Sequence, residues 1–427
     1  MKPFRIGASR WRVAPSSIVC AMLVAACSED PIGPRPVAET AVAVTYCAAA
    51  APTWVAFRDG DGPWTQQLAD GTGSRTTFRR AFTSDRTAMA SLTPLLDGQF
   101  TVLRVLYGTP AEMSTEGDTA VVDCVVDPGK TLRGVVAGLD TTQLAAISVG
   151  PFARAAVRAR LGLDFSLNGV ASGPQDLLAT RTTDGTFATR FIVRRDIDLP
   201  SGALLPTLDF ESAEAFDAVT ANVGIENLGG DAAVNSTSLF TNRGSFPLSV
   251  TVRNTPTQPY VALPSSKLVA GDVQELHIST NDSVTTRTAD VYFQAPVDRT
   301  VRVGDRIDMP AISTIARDGA LRLRARFTPQ ADYDRLTAVV YEQPATGTFV
   351  VISMTSAYAA LAGGYDLDVP DLSAAAGFDA SWALIPAMRV NWNAFRVGGT
   401  RPIGRNSVPS NGATRRTTGT RGEIASP

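Results

Sequence analysis

Apolar and polar residues alternate along short stretches of this chain, and that period restricts the fold more than any other feature. In Leu321-Arg322-Leu323-Arg324-Ala325-Arg326-Phe327 the residues between the apolar positions are all arginine. A period of two puts the apolar groups on one face of an extended strand and the arginines on the other. Leu248-Ser249-Val250-Thr251-Val252-Arg253 repeats the pattern. Further runs rich in β-branched and aromatic residues cover 54–57, 100–107, 119–126, 191–193, 291–293, 336–341 and 349–354. Asp-Gly turn signals stand beside them at Asp59-Gly60, Asp61-Gly62, Asp70-Gly71, Asp97-Gly98, Asp184-Gly185 and Asp318-Gly319. Glycine there supplies the positive φ that hairpin turns need. Helical patterns are few and short, at 153–160, 211–216 and 356–362. Many short strands with turns between them predict an all-β chain of antiparallel β-sandwiches in tandem, with few short helices.

At 427 residues the chain is long enough for about three domains, each with its own core. Its formal charge of −2 supplies no basic field for a polyanion, so no nucleic-acid partner is expected. His277 is the sole histidine, which excludes metal sites built from two or more imidazoles. No phosphate-cradling or dinucleotide glycine motif follows a strand, and no cofactor is expected.

The amino terminus carries Lys2, Arg5, Arg10 and Arg12 without an acid, then an apolar run over 13–26 ending Leu23-Val24-Ala25-Ala26-Cys27. A basic segment followed by a short apolar one is a secretory signal, and about 14 residues is too short for a membrane-spanning helix. The Val-Ala-Ala-Cys ending resembles the bacterial lipobox. The resemblance implies that residues 1–26 are removed and that the Cys27 sulfur carries the lipid anchor. Ser28 directly after the cysteine, where an aspartate would favour retention in the inner membrane, implies a lipoprotein anchored in the outer membrane by palmitate-class acyl chains. Residues 27–40, with Pro31, Pro34 and Pro36, read as a semi-extended tether.

Beyond the tether, the punctuation divides the chain into a β-sandwich over 41–128, a second β domain over 129–212, one or two further sandwiches over 213–400, and a disordered basic tail over 401–427. Five arginines against Glu423, among Gly, Ser, Thr and Asn, are the reason for the last assignment. In the second domain, Asp164-Phe165-Ser166-Leu167-Asn168-Gly169-Val170, followed by Asp176-Leu177-Leu178-Ala179, resembles the strand, glycine turn, strand signature of transthyretin-like and carboxypeptidase-regulatory-like modules. The segment Tyr365-Asp366-Leu367-Asp368-Val369 resembles a strand near the end of an Ig-like or fibronectin-like sandwich. Together these features resemble a class of exported bacterial lipoproteins built from tandem β domains. Of four cysteines, Cys20 lies in the signal and Cys27 takes the lipid, leaving Cys47 and Cys124. In an oxidising compartment this pair is expected to form a disulfide, two buried thiols being the alternative.

Several clusters invite chemistry. Asp59-Gly60-Asp61-Gly62 has alternating carboxylates, but Pro63, Trp64 and Asp70 break the calcium-loop pattern, and a hairpin loop explains it better. Asp209, Glu211, Glu214 and Asp217 are the densest acidic group, in which Glu211 and Glu214 could share a helix face as a carboxylate pair for glycoside hydrolysis; the simpler reading is a solvated helix start. His277 alternates with Leu276 and Ile278, beside Glu275 and Ser279 on a polar face, and no nucleophile stands at a recognisable spacing from it. Trp54, Trp64, Trp382 and Trp392 are candidates for stacking on sugars, and Arg322, Arg324 and Arg326 for meeting acidic glycans or lipid phosphates. The expectation is an envelope protein without enzymatic activity, a structural or binding module whose partners are the membrane, through its anchor, and envelope glycans or proteins. The alternative is an exported glycan hydrolase with carboxylate catalysis.

Overall fold

A computed structural model describes residues 39–47, 51–71, 74–95, 100–114, 129–183, 187–253, 255–317, 319–402 and 409–425. The signal, Cys27 and nearly all of the tether lie outside these residues, as do Cys124 and the run at 119–126. The chain is all-β: among the described residues only Pro110–Met113 and Ser356–Ala362 are α-helical, and no helix is long and apolar enough to cross a membrane.

A twelve-stranded open sheet organises the molecule. Its spatial order is Gly244–Arg253, Ala232–Thr241, Val273–Asn281, Thr285–Phe293, Thr414–Ile424, Val390–Gly398, Leu336–Gln343, Thr348–Thr355, Phe100–Gly108, Thr87–Leu95, Trp54–Asp59 and Thr65–Gln66. Every pairing is antiparallel except that of 348–355 with 100–108. Two small sheets pack on it, each closing a sandwich. Thr257–Ala262, Val219–Glu226 and Arg299–Arg302 enclose a core with Val223, Tyr260, Leu276 and Ile278. Ala311–Ala316, Arg322–Phe327 and Tyr365–Asp368 enclose another with Trp54, Leu103, Leu323, Tyr341 and Ile352. Each fully buried side chain of this size contributes roughly 1.5–3 kcal/mol of transfer free energy. A two-stranded sheet, Thr40–Cys47 with Arg75–Phe82, packs Val44, Phe78 and Phe82 with Val55 and Phe57, the opposite side of the 54–59 strand.

Residues 130–217 form a further sandwich. Asp164–Val170, Lys130–Ala137 and Leu208–Asp209 make one layer, and Phe216–Asp217, Phe187–Ile197, Gln175–Thr183, Gln143–Val149 and Ala153–Arg158 the other. The strand, glycine turn, strand segment is present, with Gly169 at φ 73°, but its two strands belong to different sheets. This sandwich is welded to the large sheet by a cluster of Leu178, Phe191, Phe246 and Leu263 and by Arg195, which binds Asp176 at 2.9 Å and Asp272 at 2.6 Å.

Three expectations are corrected. The stretch over 41–128 is not a self-contained sandwich, because its strands continue the sheet formed by 336–398. Local periodicity identifies a strand but not a partner some 250 residues away. The basic segment from Arg401 is not a tail: Thr414–Ile424 lies between 285–293 and 390–398 as a central strand. Its threonines are β-branched, and Thr418 and Thr420 are buried. Of the expected helices, 356–362 forms. The 153–160 stretch instead gives the strand Ala153–Arg158 and a 3-10 turn, and 211–216 is a turn entering a short strand.

Candidate functional site

A cleft of about 690 Å³ opens beside the layers of the sandwich shared by both ends of the chain. That size suits a small-molecule site. The strand Trp54–Asp59 supplies Arg58 by alternation: Trp54 and Ala56 face the core, so Arg58 continues the inward row where the layers part. Trp64 follows the hairpin turn. Tyr107 closes the strand 100–108, and Tyr358 stands on the helix Ser356–Ala362, capped by Thr355, whose Oγ1 accepts the Tyr358 N–H at 3.2 Å. Gly363, left-handed at φ 82°, ends that helix and turns the chain into the strand Tyr365–Asp368 on the rim.

The Arg58 guanidinium is held by rings. Its carbon lies 5.4 Å from the centre of Trp64 and 5.5 Å from that of Tyr107, and Nη2 donates a long 3.4 Å bond to the Tyr358 hydroxyl. Arg58 Nε is buried without a partner. No carboxylate pairs with Arg58 among the described residues, in contrast to the neighbouring arginines. Arg324 is bidentate on Asp368 at 2.6 and 2.7 Å, and Arg326 on Asp366 at 2.8 and 2.9 Å. Arg322 lies 3.7 Å from Asp371 and donates to the Val369 carbonyl. These are direct cross-strand neighbours, Arg324 opposite Asp368 and Arg326 opposite Asp366. The alternating arginine face is therefore real, but it is neutralised by an alternating aspartate face. The Arg326 guanidinium holds the Asp366 carboxyl below its ordinary range, and bonds from Ser373 do the same for Asp371. Tyr107 donates to the Asp368 carbonyl at 3.1 Å, and burial pushes its phenol well above the ordinary value.

Of the four tryptophans, only Trp64 reaches the cleft. Trp54 is buried, donates to the Ala376 carbonyl at 3.0 Å and packs edge-on against Phe378. Trp382 packs on the same core, and Trp392 is buried. Asp59 is spent on Thr83 and Ser84, whose bonds lower its pKa against the opposing effect of burial, while Asp61 pairs with Arg86. In the acidic cluster, Glu211 binds Arg181 at 2.5 Å, Glu214 binds Arg194 at 2.6 Å and Asp217 binds Arg190 at 3.3 Å. Asp209 accepts the Glu211 N–H at 2.9 Å. These carboxylates brace the turn rather than converge on a substrate.

His277 lies on the polar face as the alternation predicts. Its Nδ1 is 2.6 Å from Asp290, a carboxylate wholly excluded from solvent and also bound by Arg415 at 2.9 Å. The Asp290 bond raises the imidazole pKa against desolvation, and burial raises that of Glu275 nearby. Cys47 is disulfide-bonded; Cys124, its expected partner, is outside the described residues, as is Cys27.

Sequence reasoning missed Arg58, Tyr107 and Tyr358. Arg58 carried a signal, a charge at the inward position of the period-two row Trp54, Ala56, Arg58. The tyrosines carried none, since they reach the cleft only through distant pairings. No family model and no curated protein matches the chain.

Proposed function

We propose that this protein is a lipid-anchored module of the bacterial outer membrane that binds a ligand in the Arg58 cleft and catalyses no reaction on it. The supporting observation is the state of the carboxylates in the cleft. Asp366 and Asp368 are each locked bidentate by an arginine, and Asp366 and Asp371 are held in the ionised form. A glycan hydrolase needs one carboxyl kept protonated as general acid, with a raised pKa. Binding needs only fixed, ionised acceptors beside aromatic walls. The signal, the lipobox ending and the proline-bearing tether support the placement at the envelope, and Cys27 would anchor the chain without spanning the bilayer.

Expression of the full chain in a bacterium with labelled palmitate, beside Cys27→Ser, tests the placement. Label and membrane association in the wild type, both lost in the variant, are expected; an unlabelled soluble wild type would overturn the anchor. Incubation with envelope polysaccharides tests the second half, because new reducing ends would favour the hydrolase.

A further inference from the structure

One cation of the cleft has no carboxylate partner among the described residues. Arg322, Arg324 and Arg326 are matched by Asp371, Asp368 and Asp366, which leaves Arg58 as the guanidinium of the cleft lining without a carboxylate partner among the described residues. That guanidinium is positioned in advance by Trp64 and Tyr107, and its entropy of ordering is already spent before a ligand arrives. A guanidinium without a carboxylate partner presents a planar donor fork suited to another planar acceptor pair. Around it, Trp64 and Tyr365 are partly exposed apolar faces, and Asp366 and Asp371 are exposed acceptors already held in place.

We infer that the cleft binds a saccharide bearing one carboxylate per recognised unit, a uronic-acid residue of an acidic glycan, with Arg58 pairing the carboxylate. The aromatic faces receive the C–H side of the sugar ring, and the fixed aspartates accept its hydroxyls. One carboxylate supplies the partner that Arg58 lacks. A dianionic phosphate would meet the ionised aspartates on the rim. This assignment rests on the reading of the cleft as a ligand site.

The test uses the full chain in detergent, titrated by calorimetry with trigalacturonate and with its methyl ester, which keeps the sugar but removes the charge. The acid form is expected to bind saturably and to weaken with added salt. The ester is expected to bind at least about tenfold more weakly, the scale of a lost charge-assisted hydrogen-bond pair. Arg58→Ala should weaken the acid by a similar factor and leave the ester unchanged. Arg58→Lys, which keeps the charge and guards against misfolding of the alanine variant, should recover part of the loss. Equal binding of acid and ester would overturn the carboxylate assignment while leaving the cleft a saccharide site. Full-strength binding of the acid to Arg58→Ala would place the ligand elsewhere. Absence of binding by both forms would overturn the saccharide assignment, and the envelope reading would still be decided separately by palmitate labelling.

Discussion

Ending the chain at Gly412 removes the strand Thr414–Ile424 from the middle of the large sheet. Seven of its residues are in register with 285–291 and nine with 390–398. An antiparallel ladder makes about one backbone hydrogen bond per facing pair. At roughly 1 kcal/mol net for each, the loss is on the order of 16 kcal/mol, comparable to the whole stability of an ordinary domain, roughly 5–15 kcal/mol. Side chains add to it. Arg415 leaves the fully buried Asp290, and the Ile307 N–H loses the Thr418 hydroxyl at 3.2 Å. The truncated chain is expected to accumulate as aggregate, with no cooperative melting transition by circular dichroism. Thr418→Pro is a milder version, removing a ladder hydrogen bond at one buried position and leaving its partner unsatisfied at a cost of about 1–3 kcal/mol. A solvated tail predicts no effect from either change. A truncated chain that melts cooperatively at the wild-type temperature would show that the final strand is not integral to the large sheet.

Two further outcomes follow from local geometry. The His277 pKa is raised by Asp290, so the pair's contribution is complete below the ordinary histidine value of about 6.5 and is lost as pH rises through the higher folded value; Glu275, also raised, acts in the same direction from the carboxylate range. Denaturant midpoints should therefore fall from pH 6 upward in the wild type and change less in His277→Gln, and parallel profiles for the two would contradict the linkage. At Gly398 a Cβ would lie 2.1 Å from the Asp332 carbonyl oxygen, so Gly398→Ala should cost about 1–3 kcal/mol at the upper end of that range, read as a lower urea midpoint with unchanged slope.

How much of this was legible depended on the distance over which each residue is determined. The alternation at 321–327 predicted a strand with Leu323, Ala325 and Phe327 inside, and they are buried. The Ser356–Ala362 helix was equally local. The sequence also placed the arginines of 322–326 together, but not the aspartates opposite them, since Asp366 and Asp368 meet them only through a pairing some 40 residues long. The same blindness explains the stretch over 41–128 and the final strand. Polar composition suggested a frayed end, yet a central strand that is half-exposed on one face needs few large apolar residues. Arg58 is the instructive case, because its position in the row with Trp54 and Ala56 placed a charge inward. Its meaning needed Trp64, Tyr107 and Tyr358, which three separate elements bring to it.

Ligand binding in the Arg58 cleft is tested most directly by hydrogen exchange on the full chain with and without trigalacturonate. Amide exchange is expected to slow around 58–64 and 363–371, the two sides of the cleft, with exchange in the 130–217 sandwich unchanged. Protection confined to any other surface, or no protection at saturating ligand, would contradict binding in that cleft.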